Sequence, residues 1–280
     1  MKITVLVENS KLLNSNLDIE HGLSMIIEKN NNNILFDTGG PKGSAIKNAS
    51  KLGIDLSKVD AVVISHGHND HTGGLLKFFQ MNNKAPVYLK KEALDYFYSK
   101  RPDGYRYIGT DEELAEKYCD RLHFIDEMVE IVQGVFLVPK IKKIFPIPSS
   151  NSVLFEKKEN KLINDNFEHE LFMIIDNGND LTVFSGCGHN GIKNILSTAR
   201  GDFHDRKIKT IIGGFHLQSG ASTFAVAKKE EIEEIAQWLI LEGIENVYTG
   251  HCTGEQGMSI MGLILKEKLK KIYTGMEITL

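Results

Sequence analysis

Apolar residues in the first third of the chain fall into short runs broken by turn signals. Ile3–Glu8, Leu23–Glu28, Ile34–Phe36 and Ala61–Ser65 are rich in Val, Ile and Leu and read as strands. Between the last two, Ala45, Ile46, Ala49 and Leu52 keep helical spacing and predict a helix over Ser44–Leu52. Leu75, Leu76, Phe78 and Phe79 follow Gly73-Gly74 and predict a second helix packed on a sheet. The second half repeats the rhythm: Leu171–Ile175, Leu181–Phe184, Thr210–Ile212 and Asn246–Thr249 read as strands. Gly191–Ala199, Lys228–Leu241 and Glu255–Lys270 read as helices, the middle one with Ile232, Ile235, Ala236, Leu239 and Ile240 on one face.

Residues 91–150 break this pattern. The turn-rich, aromatic run Arg101-Pro102-Asp103-Gly104-Tyr105-Arg106-Tyr107 lies between helix candidates Glu92–Ser99 and Asp111–Tyr118. The segment reads as an insertion over a sheet edge, and a substrate-covering lid is the sharper alternative. No Pro/Gly/Ser-rich linker divides the chain. Two β-rich halves, each followed by helices, predict two sheets packed face to face in one α/β domain over residues 1–280.

Composition adds boundaries to this picture. The 280 residues are 41% hydrophobic and 25% charged, enough apolar mass for a sizeable core. A net charge of −4 and the lack of a long basic run argue against a nucleic-acid binder. The short cluster Lys140-Ile141-Lys142-Lys143 reads as a solvated loop, or as a rim for an anionic substrate. The first eight residues read as a strand rather than a signal peptide, and no apolar run reaches the ~20 residues of a membrane span. The widely spaced Cys119, Cys187 and Cys252 do not form a disulfide framework, which fits a reducing cytoplasm.

The chemistry gathers where the strand Val62-Val63-Ile64 runs into His66-Gly67-His68-Asn69-Asp70-His71. Packed this closely, such side chains desolvate and repel one another unless a cation collects them. His66 and His68, two apart on an extended loop, can point the same way. Asp70 and His71 follow on the turn and can reach a second cation.

His-x-His-x-Asp-His after an apolar strand resembles the central motif of the metallo-β-lactamase superfamily, and Ile34-Leu35-Phe36-Asp37-Thr38-Gly39 resembles its first. Three further segments are similar to the dihydropteroate-synthase-like branch, connected with a pterin-linked ribofuranosylaminobenzene phosphate synthase. They are Ser185-Gly186-Cys187-Gly188-His189-Asn190-Gly191-Ile192, Gly213-Gly214-Phe215-His216-Leu217 and Thr249-Gly250-His251-Cys252-Thr253-Gly254. The resemblance implies a four-layer αββα sandwich of two mixed sheets with helices outside.

It also implies a ligand set. His66, His68 and a third histidine would hold one divalent cation; Asp70, His71 and His251 would hold another, with Asp70 essential to turnover. The third histidine is His189, or alternatively His169, which precedes a strand. Asp37 would orient a histidine, and His216 could face the substrate or join the ligands. Cys187 stands where superfamily hydrolases commonly carry a bridging Asp, and a thiolate holds one cation rather than sharing itself between two. His21, His123 and His204 read as surface residues.

The implied reaction is hydrolysis, with the pKa of a metal-bound water lowered from 15.7 to about 7. Zinc suits these ligands, with manganese or iron as alternatives. The resemblance to that branch implies a small phosphorylated, pterin-related substrate, and Gly39-Gly40, Gly73-Gly74 and Gly213-Gly214 could let backbone amides approach a phosphate. Rival readings are a synthase-like transferase, an iron-dependent redox enzyme and a metal-stabilised binding protein; a homodimer is left open.

Overall fold

Consecutive residues of Lys2–Val7, Ser24–Lys29 and Asn32–Phe36 are buried one after another, as in strands covered on both faces. They lie in a seven-stranded mixed sheet. Its order is Glu277–Thr279, Lys2–Val7, Ser24–Lys29, Asn32–Phe36, Ala61–Val63, Val87–Leu89 and Leu122–Phe124. The first three pairings in that order are antiparallel and the last three parallel. Helices Ser44–Lys51 and Leu75–Met81 set Ala45, Ala49, Leu75 and Phe78 into one apolar cluster with Leu35, Val62 and Val87.

A second seven-stranded sheet repeats the arrangement. Its order is Val129–Val132, Val135–Val138, Phe172–Asp176, Asp180–Phe184, Lys207–Ile212, Asn246–Thr249 and Leu269–Lys271, again three antiparallel pairings and then three parallel ones. Helices Ile192–Asp202, Lys229–Leu241 and Gly254–Leu265 bury Ile195, Ala199, Ile232, Ala236, Leu239 and Met261 with Val183, Ile211 and Val247.

The computed structural model describes residues 1–219 and 226–280, and the chain divides into two compact units. The first comprises Met1–Ile125, Leu154–His169 and Ile272–Leu280; the second comprises Asp126–Val153 and Glu170–Lys271. Each contains one of the large sheets. Among the described residues no helix is long and apolar enough to cross a membrane.

Two sequence expectations are corrected. Glu92–Ser99 is not a helix: Lys91–Leu94 forms a single 3₁₀ turn and Phe97–Arg101 is a strand. Alternating burial and the Pro102–Gly104 turn favour a hairpin with Gly104–Tyr107, and Leu154–Lys158 and Lys161–Asn164 complete a four-stranded antiparallel sheet. Residues 91–150 are thus shared among three sheets. The closing helix stops at Leu265, because Lys266 turns into the left-handed region (φ 52°) and Leu269–Lys271 pairs with Asn246–Thr249.

Asn194 ties the second unit's first helix to an irregular segment. Its Oδ1 accepts from Ile144 N–H at 2.9 Å and Phe145 N–H at 2.7 Å, while Nδ2 donates to Phe145 O and Asn190 O. Asn194→Leu keeps the volume but strips these buried groups of their partner. A loss of about 2–3 kcal/mol is expected in urea unfolding; an unchanged midpoint would show that the segment repairs itself elsewhere.

Candidate functional site

Every residue singled out by motif lies just beyond a strand that has a parallel neighbour. Asp37 follows Asn32–Phe36, and His66 to His71 follow Ala61–Val63. Cys187 and His189 follow Asp180–Phe184, His216 follows Lys207–Ile212, and His251 follows Asn246–Thr249. The carboxyl ends of parallel strands are where open sheets gather ligand-binding loops.

In the first unit the parallel register sets Phe36 opposite Val63, so the loops after them start side by side. Asp37, fully buried, accepts from Ser65 N–H through Oδ1 and from Ser65 Oγ–H through Oδ2, both at 2.8 Å. His71 Nδ1–H donates to the same Oδ2 at 2.7 Å. With its proton committed, Ser65 Oγ accepts from His66 Nδ1–H at 2.9 Å. One carboxylate therefore sets the tautomer of two imidazoles and leaves the lone pair on Nε2 of each. Thr38 adds two bonds to His71 O, from N–H at 2.7 Å and from Oγ1 at 2.8 Å.

Asp70 is partly open, with 17% of its side chain exposed. Its Oδ2 lies 3.2 Å from His21 Nε2 and 3.8 Å from His71 Nε2. His21 is a surface residue, as expected, and its ring also reaches Asp70.

Burial first, and then the neighbouring His71, His68 and His169, hold the His66 imidazole well below its ordinary pKa. Burial also lowers His68, against the pull of Asp165. Burial alone would raise the Asp165 carboxyl, but His169 and His68 outweigh it and hold that group far below the usual range. His169 Nδ1 accepts from Gly67 N–H at 3.0 Å, and Nε2 faces Asp165 Oδ2 at 3.0 Å. Its Nδ1 thus holds the His66–His68 loop at Gly67, and its Nε2 is engaged by Asp165.

In the second unit the donor atoms of Cys187, His189 and His216 all lie within 4.8 Å of one another. Those of Cys187, His251 and Cys252 do so as well. Glu170 grips the loop from behind, accepting from His189 N–H and Asn190 N–H at 2.7 Å each and from Asn190 Nδ2 at 2.8 Å. His189 Nδ1 meets Asn151 Oδ1 at 3.0 Å, which places the lone pair on Nε2.

Asp37, His216 and His251 have φ of 56°, 43° and 49°, a left-handed conformation costing about 1–3 kcal/mol for a residue with a side chain. Glycines of the pairs Gly73-Gly74 and Gly213-Gly214 also let loops touch. A Cβ on Gly74 would fall 2.2 Å from Thr38 O, and one on Gly214 would fall 2.4 Å from Cys252 Sγ.

Residues 17–192 match the sequence profile of the Metallo-beta-lactamase superfamily. The chain belongs to this superfamily. It has the superfamily's α/β fold, as the sequence predicts. A 7,8-dihydropterin-6-methyl-4-(beta-D-ribofuranosyl)-aminobenzene-5'-phosphate synthase of Methanocaldococcus jannaschii is 28% identical, over 98% of this chain and 95% of that protein. The crystal structure of Tm1679, a metal-dependent hydrolase of the beta-lactamase superfamily, is 34% identical with a TM-score of 0.83, covering 100% of this chain and 99% of that one. A diphosphatase of the PhnP family, 14% identical with a TM-score of 0.53 over 100% of this chain and 97% of that one, shares the fold.

Sequence reading missed Ser65, Asp165, Glu170 and Asn151, which act on candidate residues through hydrogen bonds. Only Ser65, adjacent to His66, and Asp165, four residues before His169, carried any local signal.

Two outcomes follow from these contacts. Asp37→Asn is expected to weaken metal binding about 10- to 100-fold with the fold retained, measured by titration with a chromophoric chelator; unchanged affinity would remove Asp37 from its role. Because His66 and His68 are lowered, the unfolded chain binds protons that the folded chain refuses. Their contribution to stability is complete above about pH 6.5 and is lost as the pH falls below it. Asp165 acts in the same sense at lower pH. Metal-free protein is expected to unfold at lower denaturant at about pH 5.5 than at about pH 7.5; equal midpoints would contradict this.

Proposed function

We propose that this protein is a metal-dependent hydrolase acting on a small phosphorylated, and therefore anionic, substrate. The observation that carries the reading is the Asp37 relay, which sets His66 and His71 with Nε2 as the lone-pair nitrogen beside the part-exposed Asp70. In this reading His66, His68, Asp70 and His71 of the first unit are ligands, as are Cys187, His189 and His251 of the second. His189 is preferred to His169, whose two nitrogens are engaged by Gly67 and Asp165.

These residues fit a divalent cation, because a cation needs neutral imidazoles and desolvation keeps His66 and His68 neutral. When bound, two such ions, zinc or manganese, would supply Lewis acidity and a water able to lose its proton near neutral pH. The chain's own part is to hold the histidine lone pairs in place and to keep Asp70 near solvent.

The phosphorylated class is supported by the methanogen relative, whose name specifies a ribofuranosyl 5'-phosphate compound. The same relative, matched over nearly its whole length, favours a second reading: a transferase-like synthase joining a pterin donor to an arylamine acceptor.

Phosphodiester, lactone and thioester substrates, and a pterin donor offered with an arylamine acceptor, tested under Zn²⁺ and Mn²⁺ separate these readings. Phosphodiester cleavage is expected; activity on lactones alone would overturn the phosphate assignment, and condensation without hydrolysis would favour the synthase. Asp70→Ala is expected to lower turnover more than about a hundredfold, the upper range for residues that only orient a ligand, at an unchanged melting temperature. Near-normal turnover would remove Asp70 from the ligand set.

A further inference from the structure

We infer that a cleft in the second unit, apart from the histidine loops, binds a small organic cation: a single ring carrying an amine. The cleft lies between the starts of helices Ile192–Asp202 and Lys229–Leu241, under a strap formed by Pro146-Ile147-Pro148. No candidate metal ligand lines it, so the inference stands apart from the hydrolase reading.

The walls are fixed before anything binds. Asn194 Oδ1 accepts from Ile144 N–H and Phe145 N–H, which ties the strap to the first helix. Glu231 accepts from Ser149 N–H at 3.0 Å and from Ser149 Oγ–H, which ties it to the second. Pinned at both ends, the strap arches over about 220 Å³ of space instead of collapsing into it. Its two prolines bring no N–H group to the wall, and Ile192 and Ile235 supply apolar lining. An apolar cavity of about 150 Å³ already takes a benzene ring, so this one suits a ring with a short polar arm.

Charge decides the arm. Three charged residues line the cleft, Lys193, Glu231 and Glu234. Lys193 is engaged within the wall: its ammonium lies 2.5 Å from Glu234 Oε1 and 4.3 Å from the centre of the Phe145 ring, with 11% of the side chain exposed. Glu234 is 68% exposed. One carboxylate charge is therefore in surplus. The start of Ile192–Asp202 offers about half a positive charge in return, which leaves the balance negative. An ammonium is favoured there, and a carboxylate or phosphate is opposed.

Trp238, the chain's single tryptophan, packs on Phe145 with ring centres 5.9 Å apart and reports on the cleft. Benzylamine, a cation at neutral pH, is expected to change its fluorescence saturably in the full chain, with benzyl alcohol binding more weakly and phenylacetate more weakly still. Glu234→Gln should weaken benzylamine about three- to fivefold, the scale of a solvent-screened ion pair. Lys193→Met, which keeps the stem and frees Glu234, should tighten it by a similar factor. Saturation-transfer NMR on benzylamine reads binding directly, whether or not the tryptophan responds. Three results would each overturn the site: no transfer, phenylacetate binding as tightly as benzylamine, or wild-type affinity in both variants, as for an amine held at the histidine loops.

Discussion

Three donors converge on the buried carboxylate of Asp37, and the order of the first unit's loops follows from them. Ser65 N–H, Ser65 Oγ–H and His71 Nδ1–H all terminate there. A buried carboxylate left without such partners would be strongly destabilising, so the strand ends carrying Asp37 and Ser65 must stay together. Parallel pairing of Asn32–Phe36 with Ala61–Val63 makes this possible, because both chains leave the sheet at the same edge. The tautomers of His66 and His71 are then settled by proton bookkeeping rather than by their own preference. Asp37 is held in a left-handed conformation by its neighbours, with N–H to Val63 O and its carbonyl accepting from Ser24 Oγ.

The second unit meets the same requirement with different atoms. There the buried carboxylate of Glu170 grips backbone N–H groups rather than side chains, and an amide, Asn151, sets the histidine tautomer. A thiol, Cys252, joins the remaining segments. The two sheets share one sequence of antiparallel and parallel pairings, so candidate donors emerge at equivalent strand ends in both. What differs is softness. The first unit offers imidazole and carboxylate groups, and the second adds the buried thiols of Cys187 and Cys252.

Superfamily membership constrains the chemistry less than the fold. One relative of nearly full-length match is a synthase, while a similar solved structure is described as a hydrolase. Both descriptions suit loops of histidine and carboxylate at strand ends, because a site depends on the groups placed there and not on the sheet beneath them. Asp70 is partly exposed beside the wholly buried His71 imidazole.

Hydrophobic period alone indicated most strands of both large sheets and the helices Ser44–Lys51, Ile192–Asp202 and Lys229–Leu241. Those segments bury a regular face, so their pattern is written locally. It failed at Phe97–Arg101, where a short aromatic run is ambiguous until the four-stranded sheet supplies partners. The motif residues, too, were legible as residue types at fixed spacing. Their tautomers, the engagement of both His169 nitrogens and the roles of Asp165, Glu170, Asn151 and Cys252 were not. Most of those depend on hydrogen bonds between residues distant in sequence, such as Gly67 to His169, 102 positions apart, and His189 to Glu170, 19 apart. No local period encodes contacts of that range; only folding brings the two atoms of each bond together.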